Sequence, residues 1–226
     1  MEKIQVISDT HGFHNQVFIQ DNVDCIIHCG DSTNYYDIYH NQPEFDDFIS
    51  WYSTINVKHK ILIPGNHDSW SMKKYNIDKV KSLGIIYLEH EYYKLEGLKI
   101  FGSPYTPTFG NWHHMKDRAK LFRYWEELEE NIDILITHGP PYGILDLSEN
   151  KEGVLENCGD GALFKKILKV QPKYHCFGHI HNNNNCYNQG TRTIQGCKTT
   201  FMNCSMVEDG KFSKGLINNG LIINLK

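Results

Sequence analysis

Long apolar runs are missing from this sequence. No window approaches the ~18 consecutive apolar residues that a membrane-crossing helix requires. Met1-Glu2-Lys3 lead only into a short stretch, IQVI, before Ser8 and Asp9, so neither a membrane span nor a secretion signal is expected. The seven cysteines, at 25, 29, 158, 176, 186, 197 and 204, form no C-x-x-C pair. That spacing argues against a zinc ribbon and offers no disulfide framework; it suits small buried thiols in a reducing, cytoplasmic setting. An excess of positive charge is absent too. With 23 basic and 27 acidic residues the formal charge is −4, and no extended nucleic-acid surface is expected. A small anionic substrate stays open, because a local metal ion outweighs a weak global charge. Arginine is scarce, at 118, 123 and 192 only.

What is present reads as an α/β protein. The length of 226 residues suits one domain over 1–226. Short, mostly β-branched runs end on polar clusters: KIQVIS at Asp9-Thr10-His11, VDCIIHC at Gly30-Asp31, HKILIP at Gly65-Asn66-His67-Asp68, IDILIT at His138-Gly139, and KYHCF at Gly178-His179-Ile180-His181. Such runs predict buried strands. Helical spacing appears over 43–55, with Pro43 at its start, over 116–130, and over 160–169, where Asp160 is placed to cap. Residues 85–103 read as strands around a Glu-Gly turn, and the tail after 200 as hairpin strands with a turn at Asn219-Gly220.

Polar clusters beyond the carboxyl ends of strands are where open α/β sheets hold ligands. Five ends carry Asp, Asn and His: Asp9 and His11, Asp31, Asn66 and His67, His138, then His179 and His181. Oxygen and imidazole donors without thiolate suit first-row divalent ions such as Zn, Fe or Mn. The donors outnumber what one ion needs, which predicts a two-metal site of the kind that clamps the attacking and leaving oxygens of an in-line displacement.

The ordered pattern D-x-H, G-D, G-N-H-D, H and G-H-x-H resembles the signature of calcineurin-like metallophosphoesterases. GDSTN, FGSPYTPTFGNW, ITHGPPYGILD, FGHIH and MNCS resemble blocks of the metallophosphoesterase-domain-containing (MPPED-type) family within it. The resemblance implies a four-layer α/β/β/α sandwich of two mixed β-sheets flanked by helices. It implies two divalent metal ions, with Asp9, His11 and His181 on one, Asn66, His138 and His179 on the other, and Asp31 bridging. His67 would face the substrate and protonate the leaving oxygen, and Asp68 would support the loop or cap the next helix. The implied activity is phosphodiester hydrolysis, with a nucleotide, even a cyclic one, as substrate, by in-line attack of a hydroxide bridging the ions. A phosphomonoesterase, a nuclease or a non-catalytic scaffold is the alternative.

Protein phosphatases of this superfamily continue their G-D with an acidic-arginine pair, whereas this chain has Ser32-Thr33-Asn34. No arginine falls inside a motif, which favours a singly charged diester over a dianionic monoester. Asn34 and Trp112 are candidate substrate contacts. The other histidines read as structural: His28 in the core or behind the ligands, His14 exposed, and His113 and His114 in a solvated loop. The segment 141–160 is placed to act as a lid.

Overall fold

The computed structural model describes residues 1–183, 185–208 and 215–225. In the first half, strands β1 (Lys3–Ile7), β2 (Cys25–His28), β3 (His59–Leu62) and β4 (Ile86–Tyr87) alternate with helices α1 (Ile38–Thr54) and α2 (Lys74–Ser82). Then come β5 (Glu91–Leu95), β6 (Leu98–Ser103), β7 (Thr106–Pro107), β8 (Met115–Lys116), α3 (Arg118–Trp125) and β9 (Ile134–Thr137). The remainder is β10 (Leu147–Glu149), β11 (Leu155–Asn157), α4 (Gly161–Val170), β12 (Tyr174–Phe177), β13 (Gly190–Arg192), β14 (Thr200–Asn203) and β15 (Leu221–Asn224).

Two sheets result. One has the order β15-β1-β2-β3-β4, the other β13-β14-β12-β9-β6-β5. Strands β1 to β4 run parallel, as do β6, β9, β12 and β14, while β15, β13 and β5 pair antiparallel at the edges. The sheets face each other across a core of Ile4, Val6, Ile27, Ile61, Ile100, Ile134, Ile136 and Met202. Phe45, Phe48, Ile49 and Tyr52 of α1 cover the outer face of the first sheet; Leu121 and Trp125 of α3, with Leu163 and Ile167 of α4, cover that of the second. The layers are therefore α/β/β/α. Burial on both faces explains why the strands read as continuous rather than alternating apolar runs.

Local chemistry sets the element ends. Asp160 caps α4, accepting from the amides of Ala162 and Leu163. Glu96 and Gly97 both adopt positive φ, 49° and 86°, in the two-residue turn between β5 and β6. Helix α1 starts five residues before Pro43, because Asp37 caps it by accepting from the His40 amide. The C-terminal segments do not form a hairpin: β14 lies between β13 and β12, and β15 pairs with β1 in the other sheet. Alternating patterns specify a strand but not its partner. Asn219 instead ties this segment to Phe18, whose amide its side chain accepts at 2.8 Å. Five of the seven cysteines are buried. Among the described residues no helix is long and apolar enough to cross a membrane.

His175 gives the fold an acid limit. It is fully buried in β12, and its Nε2 meets the Thr137 hydroxyl at 2.7 Å. That hydroxyl donates to the Gly139 carbonyl, so Nε2 is the donor to Thr137 and Nδ1 has no partner. Burial pushes the pKa down to about 3. The unfolded chain binds the proton near pH 6.5, so stability is fully present above that pH and falls as the pH drops toward 3. Between pH 6.5 and 5 the wild type should lose about 2 kcal/mol more than His175→Leu in urea unfolding. Parallel losses in the two proteins would remove His175 from the acid response.

Candidate metal centre

The carboxyl ends of the two parallel strand sets meet at one edge, where Ser8 beyond β1 bridges Ser205 beyond β14. Every ligand candidate from the sequence sits on a loop leaving this edge. Asp9, Asp31, Asn66 and His138 are buried; His11, His67, His179 and His181 are partly so. Asp9, His11, Asp31 and His179 all have φ between 42° and 69°, a left-handed conformation that non-glycine residues adopt at a cost, and one that clusters at functional sites. Gly30, Gly65 and Gly178 let these loops touch: a Cβ at Gly178 would fall onto the Asp9 carboxylate and the Ser8 hydroxyl, and one at Gly65 onto Asp31.

Three imidazoles are oriented in the same way. A backbone carbonyl can only accept, so the contacts of His11 Nδ1 with Thr33 O at 3.1 Å, His67 Nδ1 with Asn34 O at 2.6 Å and His138 Nδ1 with Cys29 O at 2.9 Å put the hydrogen on Nδ1. The Nε2 atoms then point inward. His138 Nε2 lies 3.0 Å from Asn66 Oδ1 and 3.3 Å from Asp31 Oδ2. His11 Nε2 and His67 Nε2 are 3.9 and 4.0 Å from the same Asp31 oxygen. His181 Nε2 is 3.1 Å from Asp9 Oδ1, and the His179 amide donates to both Asp9 oxygens.

Asp68 holds the ligand loops together from behind. It is fully buried, and its carboxylate accepts from the amides of Ser32, Thr33 and Gly65 and from the hydroxyls of Ser32 and Thr33. It makes no side-chain cap to the following turn. His28 sits beneath the same loops, touching Thr10 Oγ1 at 3.0 Å and accepting from the Gly30 amide.

The electrostatics suit a cation. Burial would raise both aspartates, yet the imidazoles around them hold Asp9 and Asp31 below the usual carboxylate range. Burial pushes His11 down to about 4 and His179 to about 3. For His138 burial also acts downward, but the Asp31 carboxylate wins and the pKa rises to about 9. Three donor groups, Asp9-His11-His181, His11-Asp31-His67 and Asp31-His138-His179, each have ligand atoms within 4.8 Å of one another. The residues fit metal ions on a direct observation: His11 Nε2 is buried with no hydrogen-bond partner, its lone pair turned toward Asp31.

Beside the donors lies a cleft of about 380 Å³. Its walls include Pro107, Phe109, Trp112, Arg118, Ser148, Cys158 and Ile180. Trp112 packs over His67 with ring centroids 4.2 Å apart, and Phe109 stands 5.4 Å from the His179 ring.

Residues 2–183 match the calcineurin-like phosphoesterase family. The chain belongs to that family. It is 32% identical to a UPF0046 protein of Caenorhabditis elegans, over 89% of this chain and 74% of that protein. It is 31% identical to human metallophosphoesterase domain-containing protein 1, over 88% of this chain and 64% of the human one; the chain thus spans under two thirds of that relative. A solved crystal structure superposes with a TM-score of 0.65 over 90% of each chain at 14% identity, a likeness of fold. Family membership brings a metallophosphoesterase, a hydrolase class that uses divalent metal ions.

Several sequence readings change. His14 is buried, its Nε2 3.1 Å from Asp47, because α1 packs Phe48 and Trp51 against its ring. His114 is buried against Ser71, and His113 stacks on Tyr36. Asn34 presents its carbonyl to His67, and its side chain is not among the cleft walls. Arg118, outside every motif, reaches the cleft because α3 begins beside it. Its nearest sequence signal was Asp117, which caps α3 by accepting from the Ala119 amide; a cap locates a helix start but not what the start faces.

Proposed function

We propose that this protein hydrolyses small phosphodiesters at a centre of two divalent metal ions. Asp9, His11 and His181 would hold one ion, Asn66, His138 and His179 the other, and Asp31 would serve both. The observation that carries the reading is the sharing of donors: His11 and Asp31 each belong to two of the three clusters, more than one ion employs. When bound, divalent ions supply positive charge that polarises a phosphoryl oxygen and acidifies a water.

The chain's own residues do the rest. Asp31 and Asp9 stay ionised, while the carbonyls of Thr33, Asn34 and Cys29 keep Nε2 of His11, His67 and His138 directed inward. His67, fixed at Nδ1 by Asn34 O and covered by Trp112, presents Nε2 to the cleft, where it would carry the proton for the leaving oxygen. Trp112 and Phe109 give the cleft a flat apolar surface suited to an aryl or base group. The cleft's one arginine is anchored to backbone carbonyls outside the donor cluster, which supports a singly charged phosphorus as the reacting group.

The test is hydrolysis of bis-p-nitrophenyl phosphate against p-nitrophenyl phosphate by Mn-loaded protein. The diester should be preferred in kcat/KM by more than about tenfold, about 1.4 kcal/mol in the transition state, and a chelator should abolish turnover. A preference for the monoester would overturn the diesterase reading. Silence on both with two metals bound would favour a scaffold.

A further inference from the structure

We propose that Arg118 is a specificity residue that binds an anionic group of the substrate remote from the reacting phosphorus, so that preferred diesters carry a second negative charge. The inference rests on the diesterase reading above and deepens it. Arg118 is the one lysine or arginine among the residues lining the cleft. Its Nη1 donates to Gly159 O and its Nη2 to Cys158 O, both at 2.8 Å. These acceptors are uncharged, and among the described residues no carboxylate forms an ion pair with the guanidinium. The guanidinium is therefore held by neutral acceptors rather than paired with a carboxylate.

The same two contacts fix its position. A guanidinium has five N–H donors in a planar fork. With two on backbone carbonyls, the others are oriented in advance and lose little freedom on meeting an anion. The anchor is the connection from β11 to α4, not any member of the donor cluster. Arg118 thus meets a part of the ligand other than the ester that would lie at the ions of Asp31, Asn66 and His179. A carboxylate or phosphate on the ester's second substituent matches the fork.

The experiment uses two p-nitrophenyl phosphodiesters that differ only in the second ester group, phenyl or 4-carboxyphenyl. Release of p-nitrophenolate is followed with the metal-loaded, full-length protein. The wild type should favour the carboxylated diester by about tenfold in kcat/KM, the worth of one charge-assisted contact. Arg118→Gln should bring that ratio close to one, and Arg118→Lys should keep part of it. A wild-type ratio near one, or a ratio that survives Arg118→Gln, overturns the proposal. Equal losses on both diesters overturn it as well, because Arg118 would then act on the reacting phosphoryl group. If the wild type turns over neither compound, the diesterase reading fails, and calorimetric binding of the two compounds to wild type and variant still decides the role of Arg118. If Arg118→Gln does not fold, judged by thermal melting, the wild-type ratio and Arg118→Lys carry the comparison.

Discussion

Replacing His67 with alanine should lower turnover of a phosphodiester with an alcohol leaving group by about 10²- to 10⁴-fold, with metal content as in the wild type. The loss should be much smaller on bis-p-nitrophenyl phosphate, because nitrophenolate departs without needing a proton. That contrast separates proton donation from a general effect on binding. The geometry behind it is specific. His67 Nδ1–H is committed to Asn34 O at 2.6 Å, so only Nε2 faces the cleft, 4.0 Å from Asp31 Oδ2. Its side chain is 21% exposed where that of Asp31 is 2%, as a group that must meet substrate requires. His67 also falls within one donor cluster, with His11 and Asp31. Elemental analysis of the variant decides between the two uses of the ring: a fall in metal content would make it a ligand and end its role as the acid.

The site was largely legible in the sequence because its signals are local. Each ligand candidate follows a short buried strand by one to four residues, and the parallel arrangement carries all those ends to one edge. Asp9 and His11, or His179 and His181, need no distant information to be found. Gly30, Gly65 and Gly178 mark where loops touch, and the contacts a Cβ would make there explain the residue type. What stayed hidden depends on packing between distant segments. His14 looked exposed in a loop, but Asp47, Phe48 and Trp51 of α1, more than thirty residues on, cover it. β15 joins β1 across nearly the whole chain, a partnership that no alternation pattern encodes. Arg118 belongs to this second class. Its chemistry arises from docking α3 near the β11–α4 connection, and the scarcity of arginine in the motifs pointed away from it.

Asp31→Asn should reduce the metal content from two ions per chain to one or fewer and lower diester turnover by more than about 100-fold, beyond what loss of a supporting hydrogen bond costs a metal site. The substitution is nearly isosteric, so the argument is one of donors and charge. Asp31 Oδ1 accepts the His67 amide at 2.8 Å, and an asparagine must keep its oxygen there. Its NH₂ group then takes the place of Oδ2, the atom that faces His138, His11 and His67 Nε2 at 3.3, 3.9 and 4.0 Å. An N–H donor would then replace an anionic acceptor at the point on which these Nε2 atoms converge. A second readout needs no activity. In the metal-free wild type Asp31 holds His138 protonated up to about pH 9. A raised pKa stabilises the folded state fully below the unfolded value near 6.5, and that contribution is lost as the pH rises through 9. The variant lacks the charge that raises it, and burial alone acts downward, so its His138 should titrate lower and its metal-free stability should not decline over that interval. Metal uptake by the wild type near pH 7 must displace this proton, so calorimetry in buffers of different ionisation enthalpy should show proton release that the variant lacks. Unchanged metal content and an unchanged His138 titration would take Asp31 out of the centre, and with it the shared donor on which a two-metal reading depends.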